Sequence, residues 1–222
     1  MARSFQTACL LIVSVFTVVS LVYSQTDPAA VFTFTLDFPT SQPEHYAIRV
    51  PSEGLGHYQS SGRISADSDD TDSFDLDFPL TAETRQKMFD LVAKAGYFQK
   101  SVDSHHKGLA FTGKKTVTYK DARRSGESTY NYSGIQSVED LTGLMQALSA
   151  TLEFGHRLQY DLRYQKLALD EELKRMEQMA RENQLIEVPA VRSILDQIIA
   201  DPTVINVTRG RAQRLLDQSS AH

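Results

Sequence analysis

The chain has 222 residues, with 23 lysines and arginines against 28 aspartates and glutamates, so its formal net charge is −5. This mild acidity argues against a dedicated nucleic-acid-binding protein, which usually carries a basic face. With 41% hydrophobic and 23% charged residues, the composition is that of a globular protein and excludes a disordered tail. The length allows one domain, or one domain with a smaller appendage.

The N-terminus has the pattern of a secretory signal peptide. Arg3 gives a positive start, and residues 8–23 are almost wholly apolar. This apolar segment is short for a membrane-spanning helix, which needs about 20 apolar residues. Small residues at 22 and 24 predict cleavage between Ser24 and Gln25, and the alternative is a retained N-terminal anchor. The sequence therefore predicts a secreted or periplasmic protein, which contacts a membrane only through this segment if it is not cleaved.

The chain has a single cysteine, Cys9, and it lies inside the apolar segment. Cleavage would leave a mature chain without cysteine, which excludes a disulfide framework and a thiol nucleophile. The mature chain would still be long enough to be stabilised by its hydrophobic core alone.

Four segments before residue 81 alternate between apolar and polar residues, with the period of two that is typical of half-buried strands. In the first of them, Phe32, Phe34 and Leu36 alternate with threonines. The predicted strands are 31–38, 45–50, 57–64 and 74–80. Such alternation predicts an antiparallel sheet with one solvent-exposed face.

A helix and three further strands are predicted next. Thr81 is a suitable N-cap for a helix over 82–95, and Gly96 stands at the usual stop position. The further strand candidates are 109–112, 115–120 and 127–132, and the last two are joined by a hairpin loop at 121–126.

The longest predicted element is a helix over Ser137–Asn183, which contains no proline and has Ser137 as a suitable N-cap. Apolar residues recur at seven-residue spacing, which favours one continuous helix with a buried seam. Gly155, Gln159 and Lys166 interrupt the seam. We therefore expect the first half to cover the sheet and the second half to pack on the helices that follow. The alternatives are a break near Gly155, which would give two helices, and a coiled-coil dimer.

Two short helices are predicted at the C-terminus. The first covers about 189–200, and the second follows Asp201 as N-cap and Pro202 at the first helical position. The element order predicts an α+β fold: an antiparallel sheet with one short and one long helix packed on it, followed by a small helical tail. The predicted division is a signal peptide over 1–24, an α+β domain over 25–155, and a long-helix extension with a C-terminal helical hairpin over 156–222.

Several features resemble an uncharacterised family of secreted bacterial domains. They are Tyr58, Gly62, the helix over 82–95 and the segments 113–119 and 130–132. The resemblance covers about residues 31–160. It implies the same fold and a location in the cell envelope, and it implies no activity, ligand or catalytic residue.

His105 and His106 are the first candidates for metal ligands, with Asp103 close in sequence. Imidazoles and carboxylates are common zinc ligands. Neighbouring residues of an extended chain point in different directions, however, and the sequence has no third ligand at a suitable spacing. An exposed loop is the interpretation that the sequence favours.

Asp67 and Asp69 open an acidic loop that superficially resembles a calcium site, because hard cations prefer several carboxylate oxygens. An EF-hand that starts at Asp67 would place Asp72 where glycine is required and Phe78 where the bidentate glutamate is required. This excludes an EF-hand. A looser calcium site and a solvated acidic loop are the two alternatives, and the loop is the default.

Other motifs carry less information. The segment 108–116 differs from a phosphate-binding P-loop because Lys115 separates Lys114 from the hydroxyl residue, and a strand follows instead of a helix. No Gly-x-Ser-x-Gly motif is present. Asp75 and Asp77 form a carboxylate pair on one side of a predicted strand, where a solubilising face is the simpler interpretation than a catalytic cleft.

The leading hypothesis from the sequence is an exported, non-enzymatic interaction or binding protein of the cell envelope, without a cofactor. Its partner would be another envelope protein or a second copy, contacted by the tail 187–217 and the second half of the long helix. One alternative is a hydrolase or metal-dependent envelope enzyme in which His105 or His106 converges with a carboxylate in one pocket. Another is a structural protein that self-assembles through the heptad seam.

Overall fold

The computed structural model of the protein describes residues 29–63 and 70–219. These residues form a six-stranded antiparallel sheet and five α-helices, which confirms the predicted α+β fold. The strand order is β4-β3-β2-β1-β5-β6. The strands are β1 (Val31–Asp37), β2 (His45–Pro51), β3 (Gly56–Arg63), β4 (Thr71–Phe78), β5 (Lys114–Lys120) and β6 (Ser125–Tyr130).

The central strand β1 sets the two faces of the sheet. Phe34 pairs with Ile48 of β2 on one side and with Val117 of β5 on the other, and all three side chains are fully buried. The intervening threonines of β1 are only partly buried. The predicted alternation is therefore confirmed, because apolar side chains on one pleat face meet the helices while polar ones face outward.

The segment 109–112 is not a strand, so that prediction was wrong. The Asn131 side chain takes the place of a strand partner: its Oδ1 accepts from the Thr112 N–H at 2.9 Å, and its amide donates to the Ala110 carbonyl at 3.0 Å. Buried Lys115 adds a hydrogen bond from Nζ to the Asn131 carbonyl at 2.8 Å. The side chains of Asn131 and Lys115 thus hold a loop where a strand was predicted.

The helices cover the apolar face of the sheet. They are α1 (Ala82–Lys94), α2 (Gln136–Tyr164), α3 (Leu169–Arg181), α4 (Arg192–Ala200) and α5 (Asn206–Ser219), with short 3₁₀ segments at Gly96–Phe98 and Val188–Val191. The predicted cap of α1 is confirmed, since Thr81 Oγ1 accepts from the Thr84 N–H at 3.3 Å. None of these helices is long and apolar enough to span a bilayer.

The long helix passes Gly155 without interruption but ends at Tyr164, so the prediction of one helix to Asn183 was wrong. Residues 165–168 form a turn in which the Ala168 N–H donates to the Gln165 carbonyl at 2.7 Å. This turn reverses the chain, so that α3 packs back against α2 and α5. The helix also starts one residue before Ser137, with Ile135 at the N-cap position.

Gly155 marks a close contact rather than a kink. A Cβ built on Gly155 would lie 2.5 Å from Cγ1 of Val191, which is closer than side chains pack. The glycine lets the 3₁₀ segment before α4 lie directly against α2. The interruption of the heptad seam therefore has a packing reason.

The seam itself lies inside the chain. Its apolar members are buried in the same core as the sheet residues, at 0% exposure for Val138, Leu141, Met145, Leu148 and Leu152. The side chains on which a coiled-coil dimer would depend are already covered by the protein's own sheet and helices.

The tail folds onto the rest of the helical layer. Its last helix begins at Asn206, so the prediction of a start at Pro202 was wrong. The Asp201 side chain instead caps a turn, accepting from the Thr203 N–H at 2.8 Å and from Lys166 Nζ at 2.7 Å. This ion pair ties the turn between α2 and α3 to the turn between α4 and α5.

Candidate ligand-binding site

The second half of α2 passes over the adjoining ends of β3 and β4, and a cavity of about 520 Å³ lies beneath it. Strand residues form one wall and helix residues the other. Those that matter for its chemistry are Ser60, Asp72, Phe74, Glu153, His156 and Tyr160.

Simple spacing brings these side chains together. Glu153, His156 and Tyr160 are three and four residues apart, so they lie along one face of α2. On the sheet, Ser60 pairs with Phe74 of β4, and Asp72 stands two residues before Phe74 on the same face. The cavity is therefore built on regular secondary structure, which positions its residues firmly.

Glu153 is the most deeply placed charged group of the cavity, at 9% exposure. Its Oε1 accepts hydrogen bonds from the Tyr58 hydroxyl at 2.7 Å and from Ser60 Oγ at 2.6 Å. Tyr58 is also 2.9 Å from Ser149 Oγ. Because the phenol has one proton and gives it to Glu153, Ser149 donates to Tyr58. Oε1 is thus saturated by hydroxyl groups.

The carboxyl group of Glu153 is ionised at neutral pH. Burial raises its pKa, but the contacts with His156, Ser60 and Tyr58 outweigh burial and hold the pKa below its ordinary value. Burial and the neighbouring Glu153 carboxylate raise the pKa of Tyr58. The phenol therefore stays protonated and remains a donor.

His156 lies between two carboxylates without hydrogen-bonding either of them. Its Nδ1 is 3.9 Å from Glu153 Oε2, and its Nε2 is 3.6 Å from Asp72 Oδ2. The imidazole ring stacks on Phe74, with centroids 4.2 Å apart and an interplanar angle of 3°. Stacking fixes the plane of the ring, and no donor from residues 29–63 or 70–219 lies at hydrogen-bond distance from Glu153 Oε2.

A second cavity of about 670 Å³ adjoins the first, and Glu153 lines both. The buried Tyr46 forms part of its wall, and the Tyr46 hydroxyl has no hydrogen-bond partner within the described part of the chain. Ser149 lies beside it: burial raises the pKa of Tyr46, the contact with Ser149 opposes this effect, and Ser149 gives its own proton to Tyr58. An unsatisfied buried hydroxyl is uncommon in native structures.

The ion pair of Arg157 and Glu172 lies in the wall of both cavities. Arg157 bonds to Glu172 of α3 through its Nε, and Arg175 bonds to the same carboxylate at 3.0 Å. Both guanidinium groups lie over the Phe154 ring, at 4.6 and 5.3 Å from its centroid. These arginines are therefore occupied within the protein.

The residues singled out from the sequence lie elsewhere. His105 and His106 are exposed in the loop before β5, where His105 Nδ1 is 3.1 Å from Asp103 Oδ1. Asp67 and Asp69 lie outside the described residues. Over 29–63 and 70–219, no group of three or more His, Cys, Asp or Glu side chains could hold a metal ion.

Asp75 and Asp77 lie on the outer face of β4, opposite the cavity. Both are more than half exposed, and they flank His57, with distances of 3.5 Å from Asp75 Oδ2 to Nε2 and 2.8 Å from Asp77 Oδ1 to Nδ1. They do not belong to the cavity.

Sequence reasoning missed Glu153 and His156. Both stand where the heptad seam is interrupted, so a pair of titratable residues on the inner face of a helix was the available signal. Their convergence with Asp72 and Phe74 depends on how α2 crosses the sheet, which the helix pattern alone does not specify.

Comparisons with models of protein families, with curated proteins and with solved structures find no match. The resemblance to secreted bacterial domains stays a prediction. The function is accordingly argued from the site.

Proposed function

We propose that this protein is an exported, non-enzymatic binding protein that holds a small molecule in the cavity beneath α2. The observation that carries the proposal is the buried, ionised Glu153 in the wall of a cavity formed by rigid elements. Export rests on the signal-peptide pattern of residues 1–24, which lie outside the described residues.

The size and lining of the cavity support a small ligand. Ligand sites typically enclose about 300 to 1,000 Å³ and combine apolar walls with a few converging polar groups. The cavity of about 520 Å³ falls in this range, with Phe74 and Tyr160 as aromatic walls and Glu153 as the buried polar group.

The hydrogen bonds favour binding over catalysis. A serine nucleophile requires a base within hydrogen-bond reach, but the Ser60 hydroxyl donates to Glu153 and not to His156. A general acid at neutral pH requires a raised carboxyl pKa, whereas the pKa of Glu153 is lowered. Asp161 has a raised pKa but lies two turns along α2 from Glu153, the carboxylate to which Ser60 donates. The enzyme hypothesis also required His105 or His106 in the same pocket, and both lie in an exposed loop.

The protein–protein alternative has one supporting observation. Leu167 is 93% exposed, and Ile205 and Val207 are exposed on the neighbouring turn and helix. The Lys166–Asp201 ion pair brings these two turns together. An apolar surface is therefore present near the tail, but no described feature indicates what covers it, so the cavity is the better-supported site.

Binding can be measured with a tryptophan reporter. The chain contains no tryptophan, and Tyr160 lines the cavity with 53% exposure, so Tyr160→Trp introduces a single tryptophan at the site, which can be excited selectively. We expect compounds of a small-molecule library to change its fluorescence and to raise the melting temperature of the unmodified protein. Binding should weaken in Glu153→Gln and persist in Asp75→Asn, which removes an equal charge from the outer face of β4.

Two results would contradict the proposal. One is a library without any compound that binds. The other is binding with equal affinity to the unmodified protein, Glu153→Gln and Asp72→Asn.

A further inference from the structure

We propose that the ligand is an organic ammonium ion, whose charged nitrogen pairs with Glu153 and whose body extends into the second cavity towards Tyr46. This inference rests on the proposed function and specifies its ligand class.

The charges of the residues that line the first cavity indicate the charge of its ligand. Its carboxylates include Asp72, Glu153 and Asp161, and none of them has an arginine or lysine at hydrogen-bond distance among the contacts of the described residues. Among the described residues that line it, His156 contributes the one imidazole. The cavity is therefore an acidic site with room for a cation.

The arginines of the same cavity are matched by other acids. Arg157 is bound to Glu172, and Arg63 Nε donates to Glu44 Oε1 at 2.6 Å. These pairs remove two positive charges from the balance of the cavity. An anionic ligand would have to compete with Glu172 and Glu44 for them.

The hydrogen bonds of the buried Glu153 carboxylate also indicate a place for a cation. Buried carboxylates in proteins are normally paired with a cation or fully hydrogen-bonded, because an uncompensated buried charge costs several kcal/mol. Here Oε1 has two hydroxyl donors, whereas the basic group recorded beside Oε2 in the described part of the chain is His156 Nδ1, at 3.9 Å. An ammonium group bound to Oε2 would complete the coordination of the carboxylate.

Asp161 lies two turns beyond Glu153 on α2 and also lines the first cavity. Burial and the nearby Glu172 carboxylate raise its pKa, against the opposing effect of Arg157. Its anionic form is therefore less favoured than that of an ordinary aspartate, and a bound cation would stabilise it. The aromatic faces of Phe74 and Tyr160 are also favourable neighbours of an ammonium group.

An independent observation comes from the second cavity. Tyr46 and Glu153 both line this cavity, and the buried hydroxyl of Tyr46 has no hydrogen-bond partner among the residues that the structure describes. A buried polar group without a partner costs free energy unless a partner is supplied. A ligand that pairs with Glu153 and carries a polar acceptor on its body would supply one.

The test compares three sets of compounds with shared skeletons and different charges. They are amines (2-phenylethylamine, 4-aminobutanol, putrescine), the corresponding alcohols, and the corresponding carboxylic acids. Affinities are measured with the Tyr160→Trp reporter and by calorimetry on the unmodified protein, at pH 7.5 and low salt. We expect amines to bind at least tenfold more tightly than alcohols or acids, because a charge-assisted hydrogen bond outweighs a neutral one.

Variants locate the bound nitrogen. Glu153→Gln should weaken amine binding about tenfold or more, Asp72→Asn about threefold, and Tyr46→Phe about threefold for amines with a hydroxyl group. Asp75→Asn is the matched control and should leave affinity unchanged. If Glu153→Gln does not fold, as judged by circular dichroism, Asp72→Asn and Asp161→Asn decide the result.

The outcomes separate this inference from the proposed function. Alcohols or acids that bind in the cavity as tightly as amines would overturn the ammonium assignment and leave the binding function standing. Amines whose affinity is the same in Glu153→Gln and Asp72→Asn would also overturn it. If no compound of the three sets or of the wider library binds, both proposals fail.

Discussion

The ion cluster between α3 and α5 gives the sharpest prediction about stability. Glu177 of α3 has a side chain that is 1% exposed, and its two oxygens bond to Arg211 Nη1 at 2.7 Å and Arg214 Nε at 2.8 Å. Arg211 also bonds to Asp170 at 2.9 Å. The substitution Glu177→Gln keeps the volume, removes the charge and places an amide against these two guanidinium groups and that of Arg181, which is 3.7 Å from Oε2.

The expected cost follows from the exposure of the partners. Breaking a buried ion pair on one side typically costs about 3–5 kcal/mol. Here Arg214 is 51% exposed and Arg211 keeps Asp170, so water and the second acid compensate part of the loss. We therefore expect Glu177→Gln to lower the free energy of unfolding by about 2 kcal/mol.

Urea denaturation followed by circular dichroism measures this difference, with Glu171→Gln as the control. The Glu171 side chain is 80% exposed and 3.5 Å from Lys174, so its loss should cost less than about 0.5 kcal/mol. A cost of Glu177→Gln as small as that of the control would refute the argument.

The pH dependence provides a second check on the same residue. Burial raises the pKa of Glu177, but Arg214 and Arg211 lower it by more, so the net pKa is below the ordinary value. A carboxylate with a lowered pKa in the folded state stabilises the protein at pH values above its pKa in the unfolded state, which is about 4.3 for glutamate. This contribution is lost as the pH falls further. The difference between the unmodified protein and Glu177→Gln should therefore shrink below that pH, and a difference that grows would contradict the assignment.

Two further predictions test contacts that organise the helical layer. Gly155→Ala should destabilise the protein by about 1–3 kcal/mol, because the added Cβ would clash with Val191. Gly143→Ala should stabilise it by up to about 1 kcal/mol, because the space around the added Cβ is open. Urea denaturation measures both changes, and equal effects would contradict the close contact at Gly155. The Lys166 ammonium and then Thr203 lower the pKa of Asp201 to about 2, so its stabilising effect is lost only as the pH falls towards that value. Carboxyl NMR titration should find a higher Asp201 pKa in Lys166→Met than in Lys174→Met, and identical values would refute the pairing.

The strands were predictable because their signal is local. Alternation in β1 and β2 follows from which side chains meet the helices, and it appears directly in the sequence. Thr81 and Gly96 were predictable for the same reason, since capping involves neighbours in the chain. The loop at 109–112 was not, because it is held by Asn131 from another part of the chain.

The turn after Tyr164 illustrates the limit for the helices. Residues 165–168 contain neither glycine nor proline, so no local signal ends the helix. The turn is stabilised by Lys166, which reaches Asp201 thirty-five residues later. Ending α2 there lets Leu173 and Met176 of α3 enter the core, a tertiary gain that outweighs local helix propensity.

The position of the candidate site follows from the same geometry. Up to Leu152, the buried residues of α2 are mainly apolar, and the buried Thr142 and Ser149 hydrogen-bond to tyrosines of the sheet. Beyond this point it passes the edge strand β4, and the inner face changes to Glu153, His156 and Tyr160. A cavity forms there because the helix continues where the sheet ends.

The change in residue type along α2 and the end of the sheet beneath it therefore occur at the same position. If Glu153 served packing alone, an apolar residue in its place would avoid the cost of burying a carboxylate, as replacements of buried ion pairs by well-packed apolar residues often do. Instead, Tyr58 and Ser60 direct two hydroxyl groups to one oxygen, and the second oxygen remains beside the cavity. These two hydroxyl groups stabilise the anion and leave one oxygen for a ligand, which is the arrangement expected of a binding site.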